Sequence, residues 1–146
     1  MARSNRQLTQ FAVHRIGCIL DHGTGVFPAS DTAGNTEVST RFNEACVKLF
    51  GKEILSIKLD GGKILGITVH SGDFYDSKGR PSRTTRERLN GLLDYLGIRR
   101  LIPDGVRVFI REDGGCYVGK NAACKALDAS NPAVTFLAHP TNLVMS

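Results

Sequence analysis

The stretch Glu53–Val69, EILSIKLDGGKILGITV, sets two β-rich runs on either side of Asp60-Gly61-Gly62. Glycine at both turn positions tolerates the positive φ angles of a tight turn, so the stretch predicts a hairpin of two antiparallel strands. Upstream, "ACVKLF" is a third β-rich run, separated from the hairpin by Gly51-Lys52. "TRFNEACVKLF" also carries helical spacing at Phe42, Cys46, Leu49 and Phe50, so periodicity alone leaves 38–50 open between strand and helix. Downstream, "VRVFIREDGGCYV" predicts another hairpin that turns at Asp113-Gly114-Gly115. It follows "IPDG", a turn with Pro103 at its second position.

Between the two hairpins lies "GRPSRTTRERLNGLLDYLG", Gly79–Gly97. Thr84-Thr85-Arg86-Glu87 reads as a capping box, with the Thr84 hydroxyl on the third helical amide and Glu87 reaching back. Leu89, Leu92, Leu93 and Leu96 follow at helical spacing as one apolar stripe, and Gly97 reads as the stop. The chain therefore predicts an α+β fold: an antiparallel sheet of hairpins with one principal helix, about 84–96, packed on it.

The rest of the chain is less regular. Apolar positions from Leu8 to Leu20 fit two short strands as well as a helix, so 7–20 stays open. Residues 22–37, HGTGVFPASDTAGNTE, are rich in Gly, Ser, Thr, Asp and Pro and predict a long flexible loop. The C-terminal tail reads as irregular except for "AVTFLA".

At 146 residues, with 41% hydrophobic and 23% charged, the chain predicts a single globular domain over 1–146. No apolar run approaches the ~20 residues that span a bilayer, so no membrane partner is expected. "MARSNRQLTQ" lacks an apolar core and a small-residue cleavage site, so a cytoplasmic location is the expectation. Cys18, Cys46, Cys116 and Cys124 then read as free thiols.

The formal charge of +5 is concentrated. Lys78–Arg111 holds nine Lys or Arg against three acids, a net of +6, and the other 112 residues sum to −1. Regional basicity is what an anion-binding surface needs. Arg80, Arg83, Arg86 and Arg88 crowd a helix start, where cations are disfavoured by about 0.3–1 kcal/mol each unless something offsets them. On a helical wheel Arg86 and Arg88 flank the leucine stripe, and Ser82, Thr84 and Thr85 add hydroxyls. A planar guanidinium binds two phosphate oxygens at once. Phe74 and Tyr75 on the preceding loop would stack on a base.

Catalytic and metal motifs give no comparable signal. His14, Cys18 and His22 stand at i, i+4, i+8, but Gly17 and Asp21-His22-Gly23 argue against one continuous helix, so no metal is expected there. Ser71 follows His70, which on an extended segment puts the two on opposite faces, and no G-x-S-x-G occurs. "HPT", His139–Thr141, is half of a two-histidine phosphoesterase site, and its second copy is missing. Phosphate-cradling glycine motifs are absent too. The expectation is a non-enzymatic protein without a cofactor.

Leu49–Leu93 resembles a pattern in small phage-encoded proteins of undefined function, in which a Gly-broken strand pair precedes P-S-x-T-T-x-x-R-L-N-x-L-L. The residues that carry it are Leu49, Gly51, Ile54, Pro81, Ser82, Thr84, Thr85, Arg88, Leu89, Asn90, Leu92 and Leu93. The resemblance favours a strand for "CVKLF". In broad type the chain is similar to the Thoeris anti-defence sponges, small α+β oligomers that sequester a nucleotide-derived signal. That implies an accessory anti-defence protein in an infected bacterial cell, forming a homo-oligomer around a nucleotide-derived ligand. The alternative is a nucleic-acid-binding protein, or an inhibitor of a nucleic-acid-guided bacterial defence complex, using Arg99, Arg100, Arg107 and Arg111. A virion structural part is the third reading.

Overall fold

The computed structural model describes residues 3–25, 30–60, 63–138 and 143–145. Its elements are α1 (Asn5–His22), β1 (Ser30–Ala33), β2 (Thr36–Arg41), β3 (Glu44–Leu49), β4 (Lys52–Asp60) and β5 (Lys63–His70). They continue as α2 (Arg83–Ile98), β6 (Arg107–Ile110), β7 (Cys116–Lys120), β8 (Ala123–Ala126), β9 (Ala133–Ala138) and β10 (Leu143–Met145). The fold is α+β, with an antiparallel sheet of seven strands in the order β1-β2-β3-β4-β5-β9-β10 and a second sheet, β6-β7-β8. Both hairpins read from the sequence form: β4 and β5 pair with Asp60 opposite Lys63, and β6 pairs with β7. "ACVKLF" is strand β3 up to Leu49, and Phe50 turns out of it at φ 51°.

Each helix brings an apolar stripe to one shared core. In α2, Leu89, Leu92, Leu93 and Leu96 are fully buried, as their spacing predicts. In α1, Ala12, Ile16 and Ile19 play the same part. They meet Val38, Val47, Leu55, Ile57, Ile67 and Val69 of the large sheet and Val108 and Val118 of the small one. The Asn90 carboxamide ties α2 to β6, donating to Val108 O at 3.0 Å and accepting from Val108 N at 2.7 Å. It occupies the place of a missing strand partner on that edge.

Several expectations are corrected. Residues 7–20 lie within the continuous helix α1, started by a capping box in which Ser4 Oγ accepts from Gln7 N and Gln7 Oε1 from Ser4 N. Gly17 does not break this helix. A Cβ there would stand 2.5 Å from Tyr95 Oη, so glycine leaves room on α1 for the Tyr95 hydroxyl of α2. The loop expected over 22–37 contains β1 and the turn into β2. The tail expected to be irregular carries β8, in the small sheet, and β10, beside β9 in the large one. His139–Thr141 lies outside the described residues.

Helix α2 begins and ends differently from its reading as well. Its N-cap is Ser82, whose Oγ accepts from Thr85 N at 3.2 Å, two residues before the Thr84 inferred from the capping box. Gly97 is not the stop: it is buried inside the helix, while Arg100 takes the left-handed conformation (φ 59°) and Leu101 N donates to Leu96 O. That is a Schellman closure with arginine where glycine is usual.

Candidate functional site

α1 and α2 run side by side in the same direction. Asn5 faces Glu87 and Arg88 at one end, and Asp21 meets Arg99 at the other. Both N-termini therefore open on one cleft of about 330 Å³, lined by Arg3, Asn5, Leu8, Asn35, Arg83, Thr84 and Glu87. The first amides of each helix have no intrahelical acceptor, and both dipoles present their positive ends here.

Beneath the cleft lies Arg88, fully buried. The sequence reading placed it on a rim, free to engage phosphate, and this is corrected. Its Nε donates to Thr9 Oγ1 (2.9 Å), its Nη2 to Asn5 Oδ1 (2.6 Å), and its Nη1 to Thr36 Oγ1 and Asn35 Oδ1. All four acceptors are neutral. Burial holds its pKa below the ordinary arginine value, opposed only by the nearby Glu87 charge. Glu87 is engaged by Arg83 (Nε to Oε1, 2.8 Å) and by Asn5 Nδ2. The cleft and its floor thus hold three guanidinium groups, from Arg3, Arg83 and Arg88, against one carboxylate.

The other expected site residues are dispersed. Thr84 lines the cleft, whereas Ser82 and Thr85 serve the cap and bond to each other (2.9 Å). Arg86 donates to Pro81 O at 3.1 Å. Arg80 is held by Asp76 (Nε to Oδ2, 2.7 Å) and reaches Gly114 O, towards the β6–β7 turn. Tyr75 bonds Ser71 Oγ through its hydroxyl (2.7 Å). Phe74 is exposed and meets Phe50 edge to face at 5.2 Å.

That aromatic pair belongs to the cleft end of the molecule. Phe50 N donates to Asn35 O (2.8 Å), and Ser82 N donates to Phe74 O (2.9 Å). Asn35 lines the cleft and Ser82 caps α2, so both rings hang from backbone that borders it. The sequence reading missed Arg3, Asn5, Asn35 and Phe50. The S-x-x-Q of Ser4–Gln7 was the signal for the first two. Nothing local in the sequence marks Asn35 or Phe50.

His14 and Cys18 touch (Nε2 to Sγ, 3.7 Å), but His22 is one turn beyond Cys18 and two beyond His14, about 12 Å from His14 by helical rise, so the three do not converge. The four cysteines are free thiols. Among the described residues no helix is long and apolar enough to cross a membrane.

The Asp76–Arg80 loop leads to an acid-pH prediction. Burial pushes the Asp76 carboxyl up, but the Arg80 guanidinium and the amides of Arg80 and Lys78 outweigh it and hold the pKa below 3.8. A carboxylate depressed in the folded state stabilises fully above its unfolded value, and that contribution disappears as pH falls through the folded one. The urea midpoint of Asp76→Asn is expected below wild type near pH 6, and the gap is expected to close as the pH falls below the ordinary carboxylate range. A gap that persists undiminished in acid would rule out the carboxylate as its source.

Comparison with known proteins gives no match from any family model, any curated protein or any solved structure.

Proposed function

We propose that this protein is a non-catalytic binder of a phosphate-bearing, nucleotide-derived ligand, taken at the cleft where α1 and α2 begin. The observation that carries the reading is Arg88: a fully buried guanidinium with no carboxylate among its hydrogen-bond partners, under a cleft with two further arginines on its walls. A buried cation hydrogen-bonded only to neutral oxygens keeps a field that the neighbouring Glu87, itself paired with Arg83, offsets only in part, and an anion seated above it offsets the rest. Arg3, Arg83, Thr84 and the free amides of both helix starts supply donors for phosphate. Phe50 and Phe74 supply an exposed aromatic surface for a base. The phage resemblance of Leu49–Leu93 extends the proposal to sequestering a signal of a bacterial defence system, by a homo-oligomer in the cytoplasm of an infected cell.

The nucleic-acid reading is less favoured. Two of its four arginines have carboxylate partners, Arg99 with Asp21 (2.7 Å) and Arg107 with Asp94 (3.4 Å); Arg83 of the cleft has one too, in Glu87 (2.8 Å), but the buried Arg88 has none among its hydrogen-bond partners. The two readings differ in salt dependence, which is steep for a surface that neutralises several DNA phosphates and shallow for one small ligand.

The test is a thermal-shift panel of inorganic phosphate, cyclic nucleotides, cyclic ADP-ribose isomers and short DNA. A binding nucleotide at 100 times its Kd is expected to stabilise by about 2.7 kcal/mol. Arg3→Ala/Arg83→Ala is expected to weaken binding about tenfold or more, since each charge-assisted hydrogen bond contributes about 1.5–3 kcal/mol. Both side chains sit at the mouth of the cleft, so the variant should fold as wild type does. Absence of a shift with every member of the panel would sink the proposal.

A further inference from the structure

The face of the large sheet turned away from the helices carries a second cluster, unconnected with the cleft. Glu44 and Cys46 stand two residues apart on β3, which puts both side chains on one face. Glu53 of β4 joins them through an irregularity. Val47 pairs with Leu55 and Lys48 with Glu53, so Ile54 is an extra residue in the ladder. Ile54 and Leu55 are both buried, and the bulge turns Glu53 onto the face of Cys46. Strict alternation would have sent Glu53 into the core with Leu55.

We propose that Glu44, Cys46 and Glu53 form a binding site for a divalent cation of the zinc class. One ligand atom from each lies within 4.8 Å of the other two, a spacing that a small tetrahedral ion closes with little movement. The donor set selects the ion. A thiolate disfavours magnesium and calcium, and two carboxylates disfavour copper(I), so the donor set suits borderline divalent ions of the zinc class, for which cobalt(II) is a spectroscopic analogue. On binding, the thiol gives its proton to solvent and a sulfur–metal bond forms. Water takes the fourth position.

Two neighbours support the assignment. His70 Nε2 lies 3.3 Å from Glu53 Oε2, the outer carboxylate oxygen, where an imidazole N–H orients a ligating carboxylate. Arg41 Nη2 faces all three donors, at 3.5 Å from Glu44 Oε1 and 3.7 Å from both Glu53 Oε1 and Cys46 Sγ. It supplies the positive charge that this group of donors calls for. Its side chain is 66% exposed at the end of β2, so a metal displaces it readily.

Cobalt(II) titration of the full chain tests this. Wild type is expected to bind one ion per chain with a near-ultraviolet thiolate-to-cobalt charge-transfer band. Cys46→Ser should abolish the band, and His70→Ala should weaken binding about 10- to 100-fold. Arg41→Ala should keep or tighten it, because a competing cation is gone. His14→Ala/Cys18→Ser should leave it unchanged, which separates this site from the helical His–Cys pair. If Cys46→Ser does not fold, the isosteric Glu44→Gln/Glu53→Gln decides: undiminished affinity overturns the proposal. A wild type without the band, or a band that survives Cys46→Ser, also overturns it.

Discussion

Arg88→Ala is expected to lower stability by about 3–5 kcal/mol, measured by urea unfolding, with a Tm lower by about 10 °C. Two effects add. Truncation leaves a void where one of the largest fully buried side chains stood. It also strands the oxygens of Asn5, Thr9, Asn35 and Thr36 that now accept its hydrogen bonds. These acceptors come from α1, the β1–β2 turn and β2, so the guanidinium joins three parts of the chain to α2. Arg88→Met refills much of the volume and removes the buried charge, so its loss should be smaller, about 2 kcal/mol. Arg88→Lys keeps the charge but not the planar fork, and one ammonium cannot reach all four oxygens. If Arg88→Ala unfolds within about 1 kcal/mol of wild type, the network contributes little to the fold.

The same side chain separates folding from binding. Arg88→Met should weaken nucleotide binding beyond its effect on stability, because the field under the cleft is lost while the cleft walls remain. Full affinity in a folded Arg88→Met protein would return the binding argument to Arg3 and Arg83 alone.

Gly119→Ala is the second large effect, at about 2–4 kcal/mol. Gly119 sits in β7 at φ 146°, and a Cβ there would stand 2.3 Å from Ala123 O and 2.6 Å from Cys124 Cα. Both are backbone atoms of β8, so no rotamer change relieves the contact and the strand itself must move. Hydrogen exchange should report the damage locally, as lost protection of Leu127 N, which donates to Cys116 O. Gly114→Ala is the control: its φ is 82°, but nothing lies within 4 Å of the added Cβ. Its cost is expected near 1 kcal/mol. Equal losses in the two variants would show that the β7–β8 approach is not the cause.

The sequence by itself determined the parts whose signals are local. Asp60-Gly61-Gly62 and Asp113-Gly114-Gly115 announced their hairpins, because turn geometry depends on a few adjacent φ angles. Four leucines at helical spacing placed the buried stripe of α2, because a 3.6-residue period needs no partner to be visible. The first helix carries a start signal in Ser4 and Gln7 that went unread, and Gly17 read as a breaker, so 7–20 stayed open. Only the packed structure shows that glycine there is filled by Tyr95.

Tertiary structure alone decided the fate of the charges. Four arginines looked alike in "GRPSRTTRER", and the fold separated them: Arg80 to Asp76, Arg83 to the cleft, Arg86 to a carbonyl, Arg88 into the core. Helical periodicity put Arg88 beside the leucine stripe. Whether that position is rim or interior depends on what packs there, and it is α1 and the β1–β2 turn, some 50 to 80 residues away in sequence. The bulge at Ile54 has the same character. One extra residue in a ladder moves Glu53 from the core side to the open face, and only pairing with β3 reveals it.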